Sequence, residues 1–381
     1  MDFDLDPSDA LIRQTARTFA EHEVRPGARE RDVEARFAPD LLARAGELGF
    51  MGLCYPEEEG GSGAGTVAYA LTAEEIARVD ASLALSYVAA VSLGLGALHL
   101  WGNAAQKARY MPSAARGETL IAFGLTEPGA GSDAGHTETR ARRVDGGFRL
   151  TGRKQFITNG HSAALVVVTA REDDEQISNF LVERGTQGLV TSTPYHKMGM
   201  RSSETAEIVL EDCFISDEAV LGERGKGLAQ FLAVLDGGRI SIAACGVGVA
   251  RGAFDASLRY ARERRQFGKP IGSFQAIQFK LADMAVWVDL ARTATLKAAW
   301  LKDQGRPFGE AGSIAKLFAT EIGFRAANEA VQIHGGNGYM QDFDVERYLR
   351  DAKLLEIGEG TNEIQRLVIA RQLGLGALGR S

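Results

Sequence analysis

Cysteine is scarce and scattered. Cys54, Cys213 and Cys245 are the only three in 381 residues, far apart and mostly in apolar settings. An odd, dispersed set argues against a disulfide framework and against a zinc site, so no metal is expected and a reducing cytoplasm fits. Lysine and arginine form no run, and the formal net charge is −7, which argues against a nucleic-acid partner. The opening MDFDLDPSDA is acidic and lacks the basic-then-apolar order of a signal peptide. No internal repeat or low-complexity tract is present.

Charge itself is missing from one stretch, ASLALSYVAAVSLGLGALHLWG, residues 81–102. A bilayer span needs about 20 apolar residues, so length alone would allow one. Ser82, Ser86, Ser92, His99 and several glycines dilute it, however, and it follows AEEIARVD, which reads as a surface helix. The expectation is a helix buried inside a helical domain, with no membrane span.

What the sequence does contain is ordinary for a globular protein, 45% hydrophobic and 24% charged, with length for two or three domains. Asp6-Pro7 opens a helix, with proline in the first turn where its missing N–H is harmless. Leu11, Ile12, Thr15, Ala16 and Phe19 follow as an apolar-leaning stripe. PDLLARAGELG repeats the pattern, YPEEEGGSGAG (55–65) is a loop, and helices resume to about residue 120. From residue 121 the segments turn short and β-branched or aromatic, with a hairpin signal at Asp145-Gly146-Gly147. Helices return after LGERGKG. In 274–300, Phe274, Ile277, Leu281, Met284 and Val288 recur at helical steps as one buried stripe. Similar patterns cover 228–264, 310–333 and 362–373, which suggests an antiparallel bundle. The class is α+β: an N-terminal helical domain (1–120), a middle β domain (121–226) and a C-terminal helical bundle (227–381).

Several motifs offer chemistry, each with a plain alternative. TEPGAGSDAG (126–135) presents small residues and the polar Thr126, Ser132 and Asp133 to a ligand, or is merely a glycine-rich loop. FITNG (156–160) is a strand end with an Asn-Gly turn. RERRQFGKPI (262–271) is a basic helix end that suits the helix dipole, and QIHGGNGY (332–339) is a helix stop. In EIGEGTNEIQR (356–366) a lone carboxylate, Glu359, stands between Gly358 and Gly360 before a helix, where a cap would favour Ser, Thr, Asp or Asn.

In this order, together with LDGGRI and FQAIQFKLADM, the motifs resemble the acyl-CoA dehydrogenase family, nearest to its short-chain, butyryl-type members, over nearly the whole chain. The resemblance implies a helical N-terminal domain, a middle β domain and a C-terminal four-helix domain, in a homotetramer that binds FAD where these meet. Phe123, Leu125, Thr126, Gly131 and Ser132 would wrap the flavin, Ser132 also lying near the CoA portion. Phe156, Ile157 and Thr158 would lie beside the isoalloxazine. The family often has Trp where Phe156 stands, so the aromatic face is kept and the indole N–H is not. Asp236 and Arg239 match the CoA-contacting D-x-G-R pattern. Arg264, Phe267, Gln275, Gln332, Ile333, Gly335 and Gly336 match segments that reach the FAD of a neighbouring subunit. Thr361 and Glu363 match adenosine-side contacts.

Glu359 matches the family's catalytic base, which removes an acyl α-proton while the β-hydride passes to flavin N5. The resemblance places the substrate's thioester oxygen on the Glu359 backbone N–H, with Gly360 beside it. An α-proton is weakly acidic, so the base must be close and the enolate charge stabilised. The helix that follows would favour the ionised carboxylate, and burial would raise its pKa toward neutrality. Some relatives place the base just before the Arg of the D-x-G-R segment; here Gly237 and Gly238 stand there. The acyl-CoA substrate would be oxidised to the enoyl-CoA, with an electron-transferring flavoprotein as acceptor. The alternatives are a flavin oxidase, an acyl-carrier-protein thioester dehydrogenase, or a non-catalytic helical module. Many straight-chain relatives carry Tyr before the base. Gly358, facing small residues near Leu85, Ser86 and Ala89, implies a roomier acyl cavity.

Overall fold

The computed structural model describes residues 4–375. Seven helices come first: α1 Pro7–Phe19, α2 Arg25–Glu34, α3 Pro39–Glu47, α4 Gly65–Ala77, α5 Ala81–Val88, α6 Gly96–Trp101 and α7 Ala104–Ala115. Wider π turns, Ala20–Val24 and Ala89–Leu95, join α1 to α2 and α5 to α6. Asp6 caps α1 by accepting from the Ser8 N–H at 2.9 Å, with Pro7 in the first turn. The inward face of α1 is set by Ala16 and Phe19, whereas Leu11 stays 68% exposed.

The middle sheet has β1 Ile121–Gly124, β2 Arg140–Val144, β3 Gly147–Thr158, β4 Leu165–Glu172, β5 Ile177–Glu183, β6 Leu189–Thr191, β7 Thr205–Ser216 and β8 Val220–Leu221. Its order is β6-β7-β3-β2-β4-β5-β8, with β1 parallel to β4. The β2–β3 hairpin turns at Asp145 and Gly146, the latter at φ 74° as glycine allows. Strand alternation assigns β4 to two cores. Leu165 and Val167 face the helical core, and Val166, Val168 and Ala170 face a separate core with Phe148, Leu150 and Phe180.

The C-terminal part holds α8 Gly227–Glu263, α9 Gln275–Asp303, α10 Gly309–His334, α11 Asp344–Leu355 and α12 Asn362–Gln372. The helices α8, α9, α10 and α12 form the anticipated bundle. Their core is continuous with that of the N-terminal helices, although the β domain separates the two in sequence. Close approach of α8 to α10 needs glycine, because a Cβ at Gly246 would stand 2.7 Å from the Ala319 carbonyl oxygen. Two stretches, Ala81–Trp101 and Gly227–Glu263, are long and apolar enough to cross a membrane, but the first is wholly buried in this core and the second mostly so.

Two sequence expectations are corrected, and one element goes beyond them. AEEIARVD is buried, not a surface helix: Glu75 meets Arg13, Arg78 and Arg251, and Asp80 meets Arg31 at 2.9 Å. Arg78 lies in the same segment, but Arg13, Arg31 and Arg251 come from other helices, and pairing of this kind is what makes buried charge tolerable. The stripe on α9 is fully buried at Met284 only, with Phe279, Val286 and Leu290 exposed within the single chain. Finally, α11 was not anticipated. Its charges hide the spacing of Val345, Tyr348, Ala352 and Leu355, all buried.

Candidate active site

The turn between α11 and α12 is built around a left-handed pair. Glu359 has φ 54° and Gly360 φ 88°. A non-glycine residue held in the left-handed region costs about 1–3 kcal/mol and persists only where its surroundings hold it. Here the Gly360 carbonyl accepts from Lys316 Nζ at 2.9 Å and from Gln365 Nε2 at 2.9 Å. The Asn362 N–H closes the turn onto the Glu356 carbonyl at 2.9 Å. Of the two flanking glycines, Gly360 is the one the backbone requires. Gly358 has no positive φ, and a Cβ there would meet only the Leu354 carbonyl, 3.6 Å away.

This backbone turns the Glu359 side chain inward. Its Oε2 is shut from solvent and has no hydrogen-bond partner. A Cβ at Gly238 would stand 2.1 Å from that oxygen and 3.0 Å from Leu93 Cδ2. Glycine at 238, in the first third of α8, therefore leaves the space that the carboxylate fills. Burial pushes Glu359 up to about 7, against the pull of Lys316 and then Arg239. The counterweight to burial is thus two cations. The N-terminus of α12 is occupied by its own cap, the Ile364 N–H donating to Thr361 Oγ1 at 3.3 Å. Arg239 is itself buried, donating to Asp236 Oδ1 at 2.6 Å and Ser313 Oγ at 3.2 Å.

Gly238→Ala tests this fit. The added methyl group must displace the carboxylate, and misplacing a reacting group by about 1 Å can cost about a hundredfold. A tenfold to hundredfold fall in the rate of flavin reduction at saturating thioester is expected. An unchanged rate would show that the carboxylate needs no such space.

A second group of residues adjoins this one through the π turn Ala89–Leu95. Leu93 lies beside Glu359, and next to it Gly94 takes the Ile121 carbonyl of β1, 2.2 Å from where a Cβ would be. Strand β1 carries Phe123, stacked on Phe231 at 3.8 Å, and leads through Gly124 into the glycine-rich loop. That loop is anchored from beneath by Glu127, which the sequence reading passed over. Glu127 Oε1 accepts from Lys154 Nζ at 2.6 Å and Thr137 Oγ1 at 3.0 Å, and Oε2 accepts from the Glu138 N–H at 2.6 Å. Lys154, wholly buried, also donates to Thr169 Oγ1 at 2.9 Å and to the Leu125 carbonyl at 3.2 Å. Burial raises Glu127, but Lys154 and these hydrogen bonds bring it below the usual carboxylate range. Burial pulls Lys154 down to about 8, so the pair is ionised at neutral pH.

Above this anchor, the Gln155 N–H donates to the Thr126 carbonyl at 2.8 Å. An irregularity in the β3–β7 pairing between Lys154 and Ile157 turns Phe156 outward, 60% exposed at φ 59°. Thr158 is half-buried, Ile157 is buried, and Asn159 Nδ2 donates to the Ser86 carbonyl at 2.9 Å. Gly131 and Ser132 are exposed, with open space where a Gly131 Cβ would be. Thr361 and Glu363 continue from Gly360. An exposed aromatic, an open glycine edge and an inward carboxylate with one unpartnered oxygen are groups that a planar redox cofactor and the bond it oxidises can use.

Arg264, Phe267 and Gln275 lie elsewhere. Helix α8 ends at Glu263, and Arg265–Gln266 pairs with Lys269–Pro270 in a small hairpin whose tip, Phe267, is 91% exposed. His334 stacks on Tyr260 at 4.2 Å and holds Gln332–Gly336 against the same end of α8. Gln332, Gly335 and Gly336 are exposed, and Ile333 is buried, so its side chain faces the core. From Arg239 to Glu263 is about 36 Å along the helix at 1.5 Å per residue. One chain does not bring this group to Glu359.

The chain matches the acyl-CoA dehydrogenase N-terminal domain over residues 6–118, the middle domain over 122–213 and the C-terminal domain over 225–374. It belongs to the acyl-CoA dehydrogenase family. It is 52% identical over 378 residues to a probable acyl-CoA dehydrogenase of Bacillus subtilis (strain 168), covering 98% of this chain and 100% of that protein. Butyryl-CoA dehydrogenase from Megasphaera elsdenii superposes with a TM-score of 0.96 at 39% identity, covering 98% of this chain and 100% of that one. An acyl-CoA dehydrogenase from Bacillus anthracis solved with FAD superposes at 0.92 and 35% identity, covering 97% of this chain and 67% of that one. This acyl-CoA dehydrogenase is an oxidoreductase with the family's α+β fold, and its cofactor is FAD.

Proposed function

We propose that the enzyme dehydrogenates short- to medium-chain or branched acyl-CoA thioesters to trans-2-enoyl-CoA, with Glu359 as the base that takes the α-proton. When bound, the flavin supplies the electron acceptor, taking the β-hydride at N5. The observation that carries the reading is the half-buried Glu359 carboxylate, with its inner oxygen Oε2 shut from solvent and unpartnered, and with burial holding it near neutrality. A base of this kind is ionised at working pH and still gains from accepting a proton. Gly238 and Leu93 line the Oε2 side of it, where the low dielectric strengthens charge interactions. The Glu359 backbone N–H serves as the donor to the thioester oxygen, where enolate charge develops.

Phe123, Leu125, Thr126, Gly131, Ser132 and Phe156–Thr158 hold the flavin of the same chain, and Asp236, Arg239, Ser132 and Gly360 the thioester. The remote group from Arg264 to Gly336 serves the flavin of a second copy. The exposed apolar face of α9 supports a homotetramer. An electron-transferring flavoprotein receives the electrons, and the enzyme works in the cytoplasm in fatty-acid β-oxidation.

The acyl cavity is roomier than a strict butyryl pocket. A Cβ at Gly358 would make only an ordinary 3.6 Å contact with the Leu354 carbonyl, and Ile357 is 52% exposed and so does not take the place of a ring there. One extra methylene in an apolar pocket is worth about 1–3 kcal/mol of discrimination. Anaerobic addition of butyryl-, isobutyryl-, isovaleryl- and octanoyl-CoA, read as flavin bleaching, is expected to give higher kcat/KM for the branched or longer thioesters. Preference for butyryl-CoA would refute the cavity argument, bleaching by none of them the dehydrogenase reading, and rapid reoxidation by air would favour an oxidase.

A further inference from the structure

We propose that Lys316 is a positioning residue for Glu359: it grips the turn from behind through the Gly360 carbonyl and supplies positive charge to the carboxylate without binding it. The inference rests on Glu359 being the base. Lys316 lies two turns into α10 with no exposed surface. Its two hydrogen-bond acceptors are the Gly360 carbonyl and Asn362 Oδ1, each at 2.9 Å. Neither is a carboxylate. Thr320 Oγ1 donates to the same Asn362 oxygen at 3.1 Å, which fixes that amide from a second side.

A lysine buried inside a helix is costly, and satisfying one backbone carbonyl does not call for a full charge. What distinguishes this place is the neighbour. The Gly360 carbonyl belongs to the residue after Glu359, so the ammonium lies one peptide unit from the strained Glu359 backbone. Gln365 already holds that carbonyl. The additional element Lys316 brings is charge.

Direct contact would weaken the base, because an ion-paired carboxylate gives up basicity. A charge set one peptide away avoids this, partly offsetting burial and leaving Oε2 free to take a proton. Consistently, Lys316 exerts the largest pull against burial on Glu359, and burial draws Lys316 itself down to about 8. The other charged and titratable groups are Arg239, tied to Asp236, and Cys245, all from α8. From α9, Lys302 Nζ approaches Gly237. Glu356 and Glu363, on the turn's own flanks, act on Lys316.

The test is Lys316→Gln, which keeps an amide donor for the Gly360 carbonyl and removes the charge, with Lys316→Arg, which keeps the charge. In each holoenzyme, flavin reduction at saturating thioester is followed against pH. The infrared carbonyl band of the protonated carboxyl that Glu359→Gln abolishes is titrated without substrate. Removing the nearby cation favours the protonated carboxyl. In Lys316→Gln both midpoints are expected to rise by about one, which lowers the rate at pH 7 about fivefold and restores it at pH 9. Lys316→Arg is expected to keep the original midpoints. A rate reduced equally at every pH, with unmoved midpoints, would reduce Lys316 to a structural part and overturn the proposal, as would midpoints displaced equally in both variants. If Glu359→Gln itself reduces flavin at the normal rate, the base reading fails. If it is inactive and the Lys316→Gln midpoints stay, only the inference about Lys316 fails.

Discussion

Glu359→Gln is expected to slow flavin reduction by at least about a hundredfold, the low end for loss of a general base, while FAD stays bound and thioesters still bind. The swap keeps shape and left-handed backbone. Gln365 and Lys316 grip the Gly360 carbonyl, which the substitution does not touch. The pH profile carries a second expectation. Burial raises Glu359 to about 7, so the base is protonated below that pH and ionised above it. Flavin reduction by the parent enzyme is therefore expected to rise through about pH 7 and level off, and the variant to lack that rise. Anaerobic stopped-flow measures both. Near-normal reduction by Glu359→Gln would place the base elsewhere. Gly238 is the neighbouring position, and it carries no side chain to take over.

Lys154→Met is expected to destabilise the protein by about 3–5 kcal/mol, the cost of leaving one partner of a buried ion pair behind. Lys154 has no exposed surface and is bound to Glu127, Thr169 and the Leu125 carbonyl. Methionine fills similar volume but leaves the Glu127 carboxylate buried beside an apolar chain. The effect reaches function because Glu127 also holds the Glu138 N–H and so pins both ends of the glycine-rich loop. FAD affinity should fall together with stability. The double variant Glu127→Gln with Lys154→Met removes both charges and is expected to recover a large share of the stability, since replacing a whole buried pair is often close to neutral. Denaturant unfolding and flavin titration of the parent and the two variants decide it. Single and double variants of equal stability would mean the pair does not act as a unit.

Glu359 was legible because its neighbours were odd for a turn, and because whole motifs stood in family order around it. Lys316 was legible in principle: a lone lysine at helical spacing from Ser313, Ala319 and Thr320, all buried, sits on an inward face. Glu127 gave no such signal. It lies in an irregular loop, where no periodicity marks the inward side, and its partner comes from a strand 27 residues on. The α9 stripe failed in the opposite sense, since its spacing is right but the single chain covers only part of it.

By itself the sequence determined the order of helical, β and helical parts, the β2–β3 hairpin at Asp145–Gly146, the burial of the uncharged 81–102 helix and the family. Each is written in local periodicity, turn chemistry or contiguous motif. Only the tertiary structure decided that the two helical parts share one core, that Gly238 and Leu93 enclose the Glu359 carboxylate, that Lys316 and Arg239 offset its burial, and that Arg264 lies at the far end of α8. The reason is physical. Desolvation and Coulomb interactions depend on distance in space, and the groups that set them for Glu359 come from helices 43 to 120 residues away along the chain.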